Sequence, residues 1–167
     1  MDERRRLVLM RHAKSAYPAG VADHDRPLAP RGRREAGLGG EWLRANLPSI
    51  DAVLCSTATR ARETLACTGI DSSVRYIARL YGATPGAVIE EINDVDEQVR
   101  TLLVVGHEPT TSSVALILAD ADTANGNVAQ RISEKYPTSG IAVLRVSGRW
   151  AELEPGGAEL VDFHVPR

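Results

Sequence analysis

The stretch TLLVVGHEPTT, residues 101–111, decides the fold. Residues 101–106 form an unbroken apolar run, rich in β-branched residues and closed by Gly106. A strand of this kind is buried on both faces, as in a parallel sheet covered by helices. Pro109 then opens a helix that stays apolar from residue 110 to 119. Working outward, the same alternation recurs. A strand over residues 6–10 leads through a loop rich in Pro, Gly and Asp into a helix over 31–47, stopped by Pro48. AVLCS (52–56) predicts a second strand and residues 59–67 a helix. SVRYIARL (73–80) predicts a third strand, and Thr84, Pro85 and Gly86 open a helix running to residue 92. A helix over 127–135 and strands at IAVLRVS (141–147) and ELVDFHV (159–165) complete the pattern. Alternating strands and helices predict an α/β fold: one domain over residues 1–167, in three layers, with a mostly parallel central sheet flanked by helices.

The composition suits a globular protein of one core, with 43% hydrophobic and 25% charged residues among 167. Twenty basic and 22 acidic residues leave a net charge of −2, which argues against a nucleic-acid partner. Residues 1–6 are charged, but the apolar run behind them spans only residues 7–10. That is too short for a signal peptide or a membrane span, so no membrane association and a cytoplasmic location are expected. Two cysteines, Cys55 and Cys67, without a CxxC pair fit a reducing compartment.

Three of these strands end in polar residues. Residues 6–10 run into Arg11-His12, residues 52–56 into a helix that opens with Arg60, and residues 101–106 into His107. In open α/β sheets ligands bind outside the carboxyl ends of the strands. If the three strands are parallel, Arg11, His12, Arg60 and His107 meet at one rim. Two guanidiniums, two imidazoles and nearby helix N-termini make a site for a phosphoryl group. A neutral imidazole there can also attack phosphorus and become a covalent phosphohistidine.

The motifs LVLMRHAKS (7–15), STATRARET (56–64) and VVGHEP (104–109), in this order, resemble those of the histidine phosphatase superfamily, which has the phosphoglycerate-mutase-like fold. RHAKS followed by Asp25-Arg26-Pro27-Leu28 is similar to the small SixA-like phosphohistidine phosphatase branch. RLYGATP (79–85) and VDFHVP (161–166) extend the likeness over nearly the whole chain. The resemblance implies a nucleophilic His12, a phosphate pocket of Arg11, Arg60 and His107, and neither metal nor organic cofactor. Lys14 adds charge beside this pocket or is simply solvated. Three positions depart from the superfamily pattern: Ala13 for Gly, Ala29 for Thr and Glu35 for Gln.

Members that cleave phosphate esters also carry an acidic proton donor for the leaving oxygen. The candidates here are Asp23, Asp25, Glu35, Glu63 and Glu108, and none is singled out by its spacing. A phosphorylated imidazole, protonated on its other nitrogen, leaves as a neutral ring and needs no such donor. The implied substrate is therefore a phosphohistidine on a partner protein. The alternatives are a phosphatase of small phosphomonoesters or nucleotide-derived phosphates and a non-catalytic phosphate- or phosphoprotein-binding module. The remaining chemistry-bearing residues read as structural. His24 and His164 are incidental, HEPTT lacks the second histidine of a zinc motif, and Ser15, Ser56 and Ser112 match no nucleophile elbow. Arg62 reads as surface; Cys55, Met10 and Trp42 read as core.

Overall fold

Successive residues of β1 (Arg5–Arg11) serve two different cores. Leu7 and Leu9 pack into one cluster and Val8 and Met10 into the other, as an unbroken apolar strand between two helical layers must. The structure, a computed structural model, describes residues 4–167. Residues 1–3 of the charged stretch ahead of β1 lie outside the described residues.

The other strands are β2 (Ala52–Ser56), β3 (Ser73–Ile77), β4 (Thr101–Gly106), β5 (Ile141–Val146) and β6 (Ala158–His164). They form one sheet in the order β3-β2-β4-β1-β5-β6. The pairs β1–β4, β2–β4 and β2–β3 are parallel. β5 runs antiparallel to both β1 and β6. The sheet is thus mixed, with its parallel part built from β1 to β4, and the short return over residues 147–157 imposes the antiparallel β5–β6 pairing.

Two helices, α1 (Pro30–Asn46) and α2 (Thr59–Thr68), cover one face. Their Leu43, Ala61 and Leu65 pack on Val8, Met10, Val53, Cys55, Leu103 and Val105. Burial pushes the Cys55 thiol up to about 12, which fits a core residue. The opposite face carries α3 (Pro85–Asn93), α4 (Thr110–Leu118) and α5 (Asn127–Glu134). Val88, Ile92, Val114, Leu118 and Ile132 from these helices meet Leu7, Leu9, Leu54, Leu102 and Val104. No helix among the described residues is long and apolar enough to cross a membrane.

One expected element is shorter than its pattern. The strand expected over residues 73–80 stops at Ile77, and Ala78–Leu80 turns as a short 3-10 helix. β3 is an edge strand paired only with β2, whose last residue, Ser56, already pairs with Ile77. Beyond that point no neighbouring backbone remains to extend the ladder.

Two glycines let α1 sit close to the segments that build the site. A Cβ on Gly32 would lie 2.1 Å from the Lys14 carbonyl oxygen, and one on Gly40 would lie 2.1 Å from that of Thr68. A Cβ on Gly37 would meet nothing nearer than 3.7 Å. Gly32→Ala and Gly40→Ala are each expected to destabilise the fold by about 2 kcal/mol or more through backbone displacement. Gly37→Ala is expected to be neutral or to stabilise by up to about 1 kcal/mol through helix propensity. Urea unfolding of the three variants measures this contrast.

Candidate active site

The β1–β4 ladder pairs Arg11 with Gly106, and β2 pairs Cys55 with Val105. The residues that follow these partners therefore emerge together at the carboxyl edge of the sheet. His12 continues the ladder by donating its backbone N–H to the Gly106 carbonyl at 3.0 Å. The His12 and His107 rings lie 5.2 Å apart, centroid to centroid. Arg60, in the first turn of α2, is buried in the same region.

The loop after β1 is held from several sides. Ala13 N–H donates to Thr64 Oγ1 at 2.8 Å, and Ser139 N–H donates to the His12 carbonyl at 3.1 Å. His12 is only 8% exposed, and its Nδ1 lies 2.7 Å from the Ala13 carbonyl oxygen. A carbonyl only accepts, so this contact places the ring proton on Nδ1 and leaves a lone pair on Nε2. Burial, reinforced by His107, Arg60 and Arg11, lowers the His12 pKa to about 3. The ring is neutral at physiological pH, oriented, and nucleophilic at one defined nitrogen.

The groups around it are donors. His107 Nε2 lies 2.8 Å from Ser56 Oγ, which also accepts from Ala58 N–H at 3.2 Å. The Ser56 hydroxyl proton is then available to His107 Nε2, a tautomer that leaves N–H at Nδ1. Arg11 donates one terminal nitrogen to the Tyr136 carbonyl at 2.9 Å. Arg60 donates both terminal nitrogens to Asp23, at 2.7 Å to its carbonyl and 3.1 Å to its carboxylate. Arg11 Nε, Arg60 Nε and His107 Nδ1 are buried without a protein partner. Among the described residues only five buried side-chain polar atoms share that condition, and three belong to this cluster. Buried donors lacking acceptors are costly, and their concentration beside an oriented imidazole is what an anion site requires. Burial, with Arg60 next, lowers His107 to about 4.

The structure therefore brings Arg11, His12, Arg60 and His107 to one rim. Lys14 stands outside the buried cluster: its side chain is exposed, while its carbonyl accepts from Ala29 N–H at 2.9 Å. The five carboxylates split between site and scaffold. Glu35 is buried between Arg31 (3.4 Å) and Arg167 (3.1 Å). Glu63 accepts from Leu28 N–H and from Arg33. Glu108 takes the backbone N–H and hydroxyl of Ser112 at the start of α4. Asp25 is exposed, with His24 3.6 Å away.

Asp23 joins the cluster by hydrogen bonds from Arg60, and Glu108 lies near enough to Arg11 to act on its charge. The Tyr81 hydroxyl donates to Asp23 Oδ2 and Arg26 Nε to Asp23 Oδ1, at 3.0 Å. Tyr81, with Arg26 and Arg60, holds this carboxyl far below the usual carboxylate range, against the opposing effect of desolvation. Arg26 also donates to Ser15 Oγ and the Ala16 carbonyl, so the DRPL segment clamps the Asp23 turn to the loop that carries His12. Sequence reasoning passed over Tyr81, whose ring stands edge-on to His107 at 5.6 Å and to His24 at 4.8 Å. His24, read as incidental, lies at this rim with its Nε2 2.9 Å from Thr57 Oγ1. Lone polar residues in loops carry no periodic pattern, so only their position after strand ends could have flagged them. His164, also read as incidental, stacks on Trp42 at 4.7 Å.

The two lowered histidines of this cluster set a pH dependence, to which His164, lowered by burial, adds in the same direction. The unfolded chain binds protons at its histidines near 6.5, whereas the folded chain resists doing so until about 4 and 3. Stability is therefore full above about pH 6.5 and declines as pH falls toward 4, because the unfolded state then binds more protons. The His12 and His107 ring resonances are expected not to titrate between about pH 7.5 and 5. Replacing both residues by glutamine is expected to reduce the stability loss over that interval, leaving the part due to His164. NMR titration and urea unfolding at the two pH values test both statements.

Comparison with known proteins identifies the family. Residues 7–100 match the model of the histidine phosphatase superfamily (branch 1). An uncharacterized protein of Mycobacterium tuberculosis strain H37Rv is 73% identical over 158 residues, 95% of this chain and 100% of that protein. The phosphohistidine phosphatase SixA of Escherichia coli K12 is 30% identical over 126 residues, 70% of this chain and 76% of that protein. Among solved structures, a chain from Nakamurella multipartitia proposed to be a phosphohistidine phosphatase SixA superposes with a TM-score of 0.91. It shares 41% identity, with 98% of this chain and 96% of that chain covered. With its family match, its phosphoglycerate-mutase-like sheet and these relatives, the chain belongs to the histidine phosphatase superfamily, in its SixA-like branch.

Proposed function

We propose that the chain, as a single cytoplasmic domain, is a phosphohistidine phosphatase that removes phosphate from a partner protein. The observation that carries this reading is His12: a neutral, buried imidazole with its proton fixed at Nδ1 and its free nitrogen among buried cationic donors. Nε2 attacks phosphorus in line with the departing group, and a phosphorylated His12 forms. Arg11, Arg60 and the His107 Nδ1 proton stabilise the charge on the transferring oxygens, where catalysis of phosphoryl transfer mostly resides. Water then hydrolyses the phospho-His12 bond. The positive charge needed is supplied by side chains, so the proposed reaction is metal-independent. Exposed Lys14 adds charge at the edge of the site.

The preference for phosphohistidine follows from the carboxylates. Ester cleavage needs a proton delivered to the leaving oxygen. Glu35, Glu63 and Glu108 are held by scaffold partners, and Asp23 is held ionised by Tyr81 and Arg26 and by the arginine it pairs with. A phosphorylated imidazole needs no such donor. The phosphohistidine phosphatase named among the relatives supports the same substrate.

Phosphate release from a phosphohistidine peptide and a phosphoserine peptide, side by side, tests the reading. The phosphohistidine peptide is expected to be strongly preferred. Equal rates or a preference for phosphoserine would instead favour the phosphomonoesterase. His12→Ala is expected to lower kcat/KM by roughly 10³-fold or more, and Arg60→Ala by roughly 10²-fold or more. Release unaffected by His12→Ala would overturn the assignment of His12 as the nucleophile.

A further inference from the structure

We propose that Asp23 is a specificity-determining residue, whose carboxylate accepts the distal ring N–H of the departing imidazole and so selects N–P over O–P bonds. This rests on the phosphohistidine reading of the same site.

The placement comes first. Asp23 lies in a 3-10 turn, Asp23–Asp25, with its side chain 56% exposed, whereas the Arg60 side chain it pairs with is 8% exposed. The carboxylate therefore sits on the solvent side of a buried guanidinium. Arg60 spends its two terminal nitrogens on Asp23 and keeps Nε buried and unpaired, alongside Arg11 Nε and His107 Nδ1. Arg60 links His12 and Asp23, acting on buried His12 and donating to exposed Asp23, so the proposal takes a leaving group that departs toward solvent to pass the Asp23 carboxylate. Arg26 and Tyr81 fix the carboxylate at both oxygens. Such a group is a standing hydrogen-bond acceptor with no proton to give.

The chemistry of the step then asks for an acceptor at that place. As phosphorus bonds to His12 Nε2, the substrate N–P bond breaks and its electron pair stays on the departing ring nitrogen. The departing ring keeps the proton on its other nitrogen and leaves as neutral imidazole. His12 keeps its Nδ1 proton and becomes the phosphorylated cation, so one positive charge passes from the substrate ring to the enzyme ring. On the enzyme side the distal N–H is held by the Ala13 carbonyl at 2.7 Å. Asp23 is the corresponding acceptor on the substrate side, keeping the distal proton on the ring until the bond breaks. For a phosphate ester the same carboxylate offers no proton and repels the charge that grows on the leaving oxygen.

The test is a ratio. Values of kcat/KM for a phosphohistidine peptide and for 4-nitrophenyl phosphate are measured with the wild-type chain, Asp23→Asn, Asp23→Ala and Tyr81→Phe. Both Asp23 variants are expected to lower the N–P to O–P ratio about tenfold or more, as loss of a charge-assisted hydrogen bond does. Tyr81→Phe keeps the carboxylate and is expected to change the ratio less than about threefold. A ratio that stays constant while both rates fall means a purely structural role. One that stays constant while both rates rise means that Asp23 only competes for Arg60. Either result overturns the proposal. If the wild-type chain fails to prefer phosphohistidine over phosphoserine, yet Asp23→Asn still lowers the ratio tenfold, the substrate reading fails and the assignment of Asp23 stands.

Discussion

The parallel pairing of β1 with β4 is the constraint on which the site depends. Its register, Arg6 opposite Thr101 through Arg11 opposite Gly106, leaves His12 and His107 as the next residue of each strand. Both strands are buried on both faces, so a slip by one residue would turn each alternating set of side chains into the wrong core. The same packing that makes the sheet stable therefore fixes the spacing of the two imidazoles. α2 is tied to this frame from the other side, because Thr64 accepts the Ala13 N–H while donating to the Arg60 carbonyl at 2.7 Å. One hydroxyl thus links the backbone beside His12 to the backbone of Arg60.

Collecting buried cationic groups in one place opposes folding, since each loses hydration. The structure meets that cost unevenly. Arg11 is satisfied through a backbone carbonyl, Arg60 through the carbonyl and carboxylate of a single residue, and the two histidines by remaining neutral. Each solution leaves at least one donor unspent. A phosphoryl group bound here would satisfy donors the protein itself does not, so binding and stability are coupled through the same atoms.

Much of the architecture was legible in the chain because its signals are periodic. β2 and β4 coincide with their apolar runs, and α3 begins at the Pro-Gly following Thr84, whose hydroxyl caps it by accepting from Ala87 N–H. The third strand was read too long because side-chain pattern does not reveal where a neighbouring strand ends. Arg11, His12, Arg60 and His107 were legible as a group because each lies at or just after a strand end. Asp23 was visible only as one acid among five. What distinguishes it is contact with Arg60 and Tyr81, 37 and 58 residues away, and no local pattern encodes that. Its character was also inverted in prospect, since a candidate proton donor is held as a fixed anion.

The ties that hold β1 from its β5 side have a temporal consequence. Arg11 donates its backbone N–H to the Gly140 carbonyl and its side chain to the Tyr136 carbonyl, while the His12 carbonyl is held by Ser139. These partners lie about 125 residues downstream. During synthesis the first strand is made early but lacks one of its two neighbours until β5, residues 141–146, follows. Contacts of such sequence separation form late in folding. His12 thus becomes oriented only once the segment through β5 has emerged, and a nascent fragment that carries the His12 motif but lacks β5 has no means to hold that ring in place.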